Sequence, residues 1–369
     1  MLTHVMKILY VANARMPSEK AHGIQIAKTC EAFAKAGADV ELVVPNRRTH
    51  IKESVAEYYG LKHSFPVTRL WVPDIVSWGF IGFLIESFVF ALVAARFARR
   101  RDSLVYGRDE IVLAAVAFLT NRSIVWESHT GSWNFLARFV ARRAKKVIVI
   151  TGGLRDFYVA RGVPQEKIVF AHDGLDLANF EHAESKEDAR TRLRLPHDMR
   201  VALYIGALGG WKGTDTLFKA SEFLPDTIRI AVIGGTQDQI AKARQQYPRV
   251  LFLGEKPYRD IANNQAAADV LVLPNTGKDV IATHFTSPLK LFTYMASDRP
   301  IVASDIPSTR EVLPQNAAYW FVADDAKSLA EAIQKAQSDL SASEKVSIAK
   351  SSVLLYTWDT RARAILATI

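Results

Sequence analysis

Short apolar runs rich in Val and Ile alternate along the first half of the chain with longer amphipathic stretches. MKILYVAN leads into the helix-like HGIQIAKTCEAFAKAG and then DVELVVP, with SLVYG, SIVWES, KKVIVIT and KIVFAHDG further on. Short apolar strands separated by stretches of helical period predict parallel sheets with crossover helices. The pattern begins again after the polar, charged stretch HAESKEDARTRLRLPHD, with RVALYIGAL, IRIAVIGG, RVLFLG, DVLVLPN and RPIVASD. That break, near residues 181 to 198, is the expected linker or domain edge. The fold class expected is α/β, with two Rossmann-like parallel-sheet domains facing a central cleft. In such sheets ligands bind beyond the carboxyl ends of the strands, so candidate residues are sought just after them.

Composition narrows the class. The 369 residues exceed one ordinary core, which agrees with two domains. A hydrophobic share of 49% with 23% charged residues is that of a folded globular chain, and no repeat or low-complexity tract interrupts it. The single cysteine, Cys30, can form neither an internal disulfide nor a cysteine cluster for zinc, and it falls in a helical pattern where it reads as packing. A net charge of +9 favours acidic partners: nucleotide phosphates, anionic headgroups or nucleic acid. Nucleic acid is disfavoured, because the basic residues are dispersed apart from the run Arg96 to Arg101 and no aromatic motif is interleaved with them.

The opening MLTHVMKILYVAN passes straight into a strand-like run without the pattern of a secretion signal, so a cytoplasmic location is the expectation. The stretch Ile75 to Ala95 is nearly long enough to span a bilayer, but Gly79, Gly82 and Glu86 interrupt it. A crossing there would also cut the preceding strands from their sheet. Two readings stay open for residues 75–101: a helix buried in the first domain, or a peripheral helix that seeks an anionic membrane with the help of Arg96, Arg99, Arg100 and Arg101.

Four segments carry candidate chemistry. After the first strand, a loop with Pro17 and Gly23 enters a helix whose first amides would point at a ligand, although Gly23 can equally serve to ease the turn. His129 follows SIVWES at a strand end, where an imidazole could meet a sugar hydroxyl or a leaving phosphate; a structural histidine is the alternative. In the second half, YIGALGGWKGTD combines a strand, a Gly-rich loop with Gly210, and Lys212 before a helix, which suits a pyrophosphate but lacks the spacing of a Walker loop. Ser287 resembles a cap with Pro288 at the first helical position, and Lys290 lies one turn in. A solvated lysine and a plain capped helix would account for the last two segments as well.

Taken in order, KAHGIQIAKTCEAFAKAG, the WKG of the loop, HDGLDLANF, SPLKLFTYMASDRPIVASD and YTWDTRARAIL resemble the family-4 retaining glycosyltransferases of GT-B fold over nearly the whole length. The resemblance implies an acceptor-side domain at 1–180, a donor-side domain at 181–353, and a final helix at 354–369 returning to the first domain. It implies that Lys212 meets the donor diphosphate and that Ser287, Pro288 and Leu289 meet phosphate or donor sugar, helped by Lys290. His129 matches the histidine near the donor sugar and is, with Lys212, the catalytic candidate. Gly23 and Gly210 approach the donor, Pro257 and Tyr258 border the base, and Asp173 and Gly174 form the interdomain Asp-Gly pair.

Two departures stand out. Phe285 and Thr293 occupy the positions of two glutamates common in the family, and Thr293 cannot accept two ribose hydrogen bonds as a carboxylate can. Ala207 stands where a basic phosphate ligand is frequent. Weaker nucleotide affinity, other ribose contacts or loss of catalysis would follow. The expected activity is retaining, metal-independent transfer from a nucleotide-sugar to a glycan or lipid-linked acceptor, with no cofactor and no bound metal. The rivals are a non-catalytic nucleotide-sugar-binding protein and a nucleotide-sugar epimerase of the same fold.

Overall fold

In the computed structural model, which describes residues 5–369, every strand pairing is parallel. The chain forms two compact units, Met1–Asp173 with Trp358–Ile369, and Gly174–Thr357. The first unit holds β1 (Lys7–Val11), β2 (Asp39–Pro45), β3 (Val67–Leu70), β4 (Leu104–Gly107), β5 (Ile124–Ser128), β6 (Lys146–Val149) and β7 (Ile168–Phe170), in the order β3-β2-β1-β4-β5-β6-β7. The second holds β8 (Arg200–Ile205), β9 (Ile228–Ile233), β10 (Leu251–Phe252), β11 (Val270–Leu273), β12 (Ile301–Ser304) and β13 (Tyr319–Phe321), in the order β10-β9-β8-β11-β12-β13. In each sheet the first strand is central and the order reverses beside it, so a crevice opens at β1/β4 and at β8/β11. The central strands read as continuous apolar runs because helices cover both of their faces.

Two strands lie outside the runs that the sequence singles out. Val67–Leu70 is an edge strand that mixes Thr and Arg with partly buried positions, and Tyr319–Phe321 is an edge strand of 3 residues. Neither is long or apolar enough to stand out by pattern.

The expected linker is also corrected. Residues 186–193 form a helix of the second unit, capped by the Ser185 side chain. Its buried Arg190 pairs with Asp269 and donates to the carbonyl of Ala267 at 3.0 Å, so a charged stretch that reads as solvated is anchored by one inward-facing cation. The structure divides the chain after Asp173 and after Thr357, compared with 180 and 353 from the sequence pattern. Leu175 and Thr357 bridge in parallel, and the Leu175 amide donates to the Tyr356 carbonyl at 3.1 Å, so the entering and leaving segments of the second unit are tied together.

The last helix, Trp358–Leu366, packs in the first unit against the helix Ala21–Lys35. Trp358, Ala362 and Ile365 bury its apolar side, and Cys30 is buried in the partner helix as a small packing residue. The same side of the last helix carries Arg361, fully enclosed, whose Nη2 lies 3.0 Å from the Glu127 carboxylate at the end of β5. Removing one partner of a buried pair leaves the other charge without compensation and costs about 3–5 kcal/mol. Arg361→Met is therefore expected to lower the stability of the first unit by about that amount, read as faster hydrogen exchange of the β5 amides. A double variant, Glu127→Gln with Arg361→Met, is expected to recover part of the loss. Unchanged β5 protection in the single variant would refute this account.

Candidate active site

In the second unit, the turn after β8 is built from glycines because the backbone there must adopt positive φ. Gly209, Gly210 and Gly213 have φ of 82°, 58° and 66°. A Cβ on Gly213 would lie 1.7 Å from the Pro274 carbonyl oxygen, so no larger residue fits between this turn and the end of β11. The Thr214 hydroxyl accepts from the Gly209 amide at 2.9 Å and closes the loop. Trp211 and Lys212 sit at its tip, with the Lys212 ammonium 3.0 Å from the centre of the Trp211 ring.

Lys290, at the start of the helix Leu289–Ala296, reaches the same loop. Its Nζ donates to the Tyr204 hydroxyl at 3.0 Å, and that hydroxyl donates to the Ala207 carbonyl at 2.7 Å. A Cβ on Gly206 would lie 3.0 Å from the Tyr204 hydroxyl and 3.1 Å from Nζ, so the position is tightly packed against both. Neither ammonium has a carboxylate partner among the described residues. Desolvation lowers Lys212 to about 8, while desolvation and then the charge of Lys212 hold Lys290 well below the usual lysine range. Two neighbouring lysines without a carboxylate partner, beside a glycine turn, are groups that suit a multivalent anion.

The remaining residues expected in this unit are placed as follows. Pro288 is itself the residue before the helix, which begins at Leu289, so Ser287 does not cap it by side chain and Pro288 is not its first helical position. Ser287 and Pro288 are buried and Leu289 is half-buried. Thr293 is buried, its hydroxyl donating to the Lys290 carbonyl at 2.8 Å and accepting from Gln265 Nε2 at 2.8 Å. That hydroxyl is thus engaged inside the domain. Phe285 lies in a π-helical turn, Ile281–Phe285, and is buried as well. Pro257 is exposed and precedes the short turn Tyr258–Asp260, where burial and then Asp176 raise the Tyr258 hydroxyl above its ordinary range.

In the first unit, a polar cluster gathers at the carboxyl ends of β4 and β5. Glu127 is 1% exposed in its side chain and binds Arg361 through one oxygen and Arg108 and His129 through the other, at 3.1 and 2.5 Å. Tyr106 donates to the same carboxylate. Burial pushes the Glu127 carboxyl up, but Arg361 and Arg108 together outweigh it and hold the group well below the usual range. His129 is lowered by burial and then by Arg108, which disfavours the imidazolium. Nε2 of the ring faces both the Glu127 carboxylate, at 2.5 Å, and the Arg108 guanidinium, which also lies 3.0 Å from Nδ1. Arg108 also donates to Gln25 Oε1 at 3.0 Å, and Gln25 Nε2 donates to Asp173.

His129 and Asp173 are thus brought into one network, with Gly23 close by in chain but in another role. A Cβ on Gly23 would lie 2.2 Å from the Tyr59 hydroxyl, which accepts from the Ser18 amide at 2.8 Å. The glycine is required by packing of that tyrosine. Asp173 and Gly174 fall on either side of the boundary between the units. Sequence reasoning missed Arg108, Glu127 and Arg361. Arg108 directly follows β4 and Glu127 lies two residues before His129, so the rule of looking after strand ends reaches both. Arg361 lies on the last helix and no local pattern marks it. Among the described residues no group of three or more His, Cys, Asp or Glu side chains is arranged to hold a metal ion.

Comparison with known proteins bears on this geometry. Residues 22–174 match the glycosyl transferase 4-like domain, and residues 199–339 match glycosyl transferases group 1. The protein TuaC of Bacillus subtilis (strain 168), named as a teichuronic acid biosynthesis glycosyltransferase, is 23% identical over 358 residues, covering 89% of each chain. Among solved structures, Alr3699/HepE of Anabaena in complex with UDP and glucose superimposes with a TM-score of 0.79 at 18% identity, over 98% of this chain and 99% of that one. Sucrose-phosphate synthase (tll1590) from Thermosynechococcus elongatus gives 0.77 at 20% identity over 98% of each. The fold is therefore the two-domain, parallel-sheet fold of GT-B glycosyltransferases.

The depressed lysine gives a pH signature. An anion at the glycine turn favours the charged form of Lys212, so binding takes up a proton wherever the free group is neutral. Affinity for a nucleoside diphosphate is expected to weaken as pH rises above the Lys212 value of about 8. The slope there is about tenfold per pH unit for one coupled proton. Isothermal titration between neutral and alkaline pH measures this, and Lys212→Met should bind weakly without that slope. An equally steep fall in the variant would assign the effect to another group.

Proposed function

Because the chain belongs to the group 1 glycosyl transferases, we propose that it moves a sugar from a nucleotide-sugar donor to an acceptor hydroxyl with retention of anomeric configuration. The products would be a cell-envelope glycan, polysaccharide or glycolipid. The observation that carries this reading is the pair Lys212 and Lys290, two ammonium groups without an acidic partner at a glycine-lined strand end. HepE, of like fold, was crystallised with UDP and glucose, and the name of TuaC points to teichuronic acid, which supports a uridine donor and an envelope product.

In the proposed reaction the bond from the anomeric carbon to the diphosphate breaks as the acceptor oxygen attacks from the same face, and the acceptor proton passes to the departing phosphate oxygen. Lys212, Lys290 and the amides around Gly210 stabilise the growing charge on the leaving group. That positive field serves the role a divalent metal would otherwise fill, so no metal is required. The second unit then takes the donor, with Leu289 near its phosphates and Pro257 and Tyr258 near its base. The first unit takes the glycan or lipid-linked acceptor, with His129 there as an imidazole positioned by Glu127. Since Thr293 is engaged by Gln265, ribose contacts in this reading come from other groups, such as backbone around Ser287 and Pro288. The proposed place of work is the cytoplasm, at the inner face of the membrane.

One observation favours a second reading, a non-catalytic nucleotide-sugar-binding protein: the ribose carboxylate is replaced by an internally bonded threonine and the phosphate-binding base by Ala207. A panel of UDP-, GDP- and ADP-sugars, followed by product analysis with and without acceptor, separates the two. Turnover of one donor with retained configuration and no loss in chelator is expected, and Lys212→Ala and His129→Ala should each lower kcat by about 100-fold or more. Binding without turnover of any donor would hand the site to the second reading, and isomerised nucleotide-sugar without transfer would mark an epimerase.

A further inference from the structure

The helix Phe80–Arg99 turns its apolar side outward. Ile81, Leu84, Ile85, Phe88 and Leu92 recur at the spacing of one helical face and are all exposed, Ile81 to 71% and Phe88 to 60%. The inward face carries Glu86 and Ser87 among small alanines. Glu86 is enclosed and paired with Arg47, which donates to Asn13, whose own amide donates to Ser87 at 2.9 Å. Phe90 is the large apolar side chain of this helix that is fully enclosed; the polar groups are satisfied inside while the stripe from Ile81 to Leu92 faces out.

The same stripe changes character at its end. Arg96 and Arg99 follow Leu92 at four and seven residues, on the continuation of the apolar face, and Arg100 lies beside them. All three are exposed and none makes an ion pair among the described residues. At the opposite end Trp78 and Phe80 are each 74% exposed. By length and composition alone the helix could cross a membrane, but Glu86 and the buried alanines fasten it along its length to the rest of the first unit.

We propose that this face docks the first unit on the surface of a bilayer containing anionic phospholipid. The helix axis lies along the membrane plane, Ile81 to Leu92 enter the boundary between headgroups and acyl chains, Trp78 anchors at headgroup depth, and Arg96 and Arg99 meet lipid phosphates. Charge selects this occupant over an apolar protein partner, because the hydrocarbon stripe runs directly into unpaired cations.

The test is sedimentation of the full chain with vesicles of phosphatidylcholine alone or mixed with phosphatidylglycerol. Trp78 ends the short turn Val76–Trp78 just before this helix, so emission of a Trp78→Phe variant is compared with that of the parent. The chain is expected to sediment with phosphatidylglycerol vesicles and to remain in solution with phosphatidylcholine, with a blue shift that Trp78→Phe reduces. Ile81→Ser with Phe88→Ser should weaken binding by about tenfold or more, and Arg96→Glu with Arg99→Glu should abolish the preference for anionic lipid. These positions are exposed, so both variants should keep the parent thermal transition. The proposal is overturned if the parent chain ignores phosphatidylglycerol vesicles, or if both double variants bind as it does. It is equally overturned if the apolar substitutions convert a self-associated chain to a monomer without changing lipid binding, which would make the face a contact between copies. No sugar enters the measurement, so its outcome is independent of whether the chain transfers one.

Discussion

A carboxylate buried at the end of a central strand cannot remain charged unless cations are brought to it, and Glu127 imposes that condition on the first unit. Arg108 answers from the neighbouring strand and Arg361 from the last helix of the chain. With both in place, the carboxylate oxygen that meets Arg108 also meets Nε2 of His129, and Arg108 reaches on to the Gln25 and Asp173 branch. The position of the imidazole is therefore a consequence of charge compensation in the interior. Each group in the network depends on the others being satisfied, which is why such clusters are rigid when complete and costly when broken.

The second unit solves the opposite problem. Lys212 and Lys290 are left without acids, and aromatic rings take the place of counter-charges: Trp211 beneath one and Tyr204 beneath the other. Ring faces attract a cation without neutralising it. The lysines are thereby positioned without an acid beside them, and Gly213 marks where backbone had to approach too closely for any side chain.

Much of this could be read from the residues. Strand and helix alternation revealed both sheets because central strands are buried on two faces and must be apolar throughout, whereas edge strands such as Val67–Leu70 obey no such rule. The Gly-rich turn and Lys212 were visible because a turn of positive φ leaves a glycine signature, and Lys290 because it followed a Ser-Pro helix start. Thr293 was recognisable as a substitution, but its bond to Gln265 was not, since the two meet only through tertiary packing. Arg361 was hidden for the same reason: a charged residue near a chain end reads as solvated until a buried partner far away in sequence is known. The Arg190 anchor escaped notice in the same way.

The return of the final helix to the first unit has a consequence for how the chain emerges from the ribosome. The second unit is one continuous stretch and holds all of its own strands before residue 358 is made. The first unit, although its strands are synthesised earlier, lacks Arg361 until the whole second unit has been made, and Glu127 must wait in an interior that is still short of a cation. Vectorial synthesis ordinarily lets the amino-terminal domain finish first. Here the order is inverted: the unit whose strands are made first cannot be completed until after the other has been synthesised.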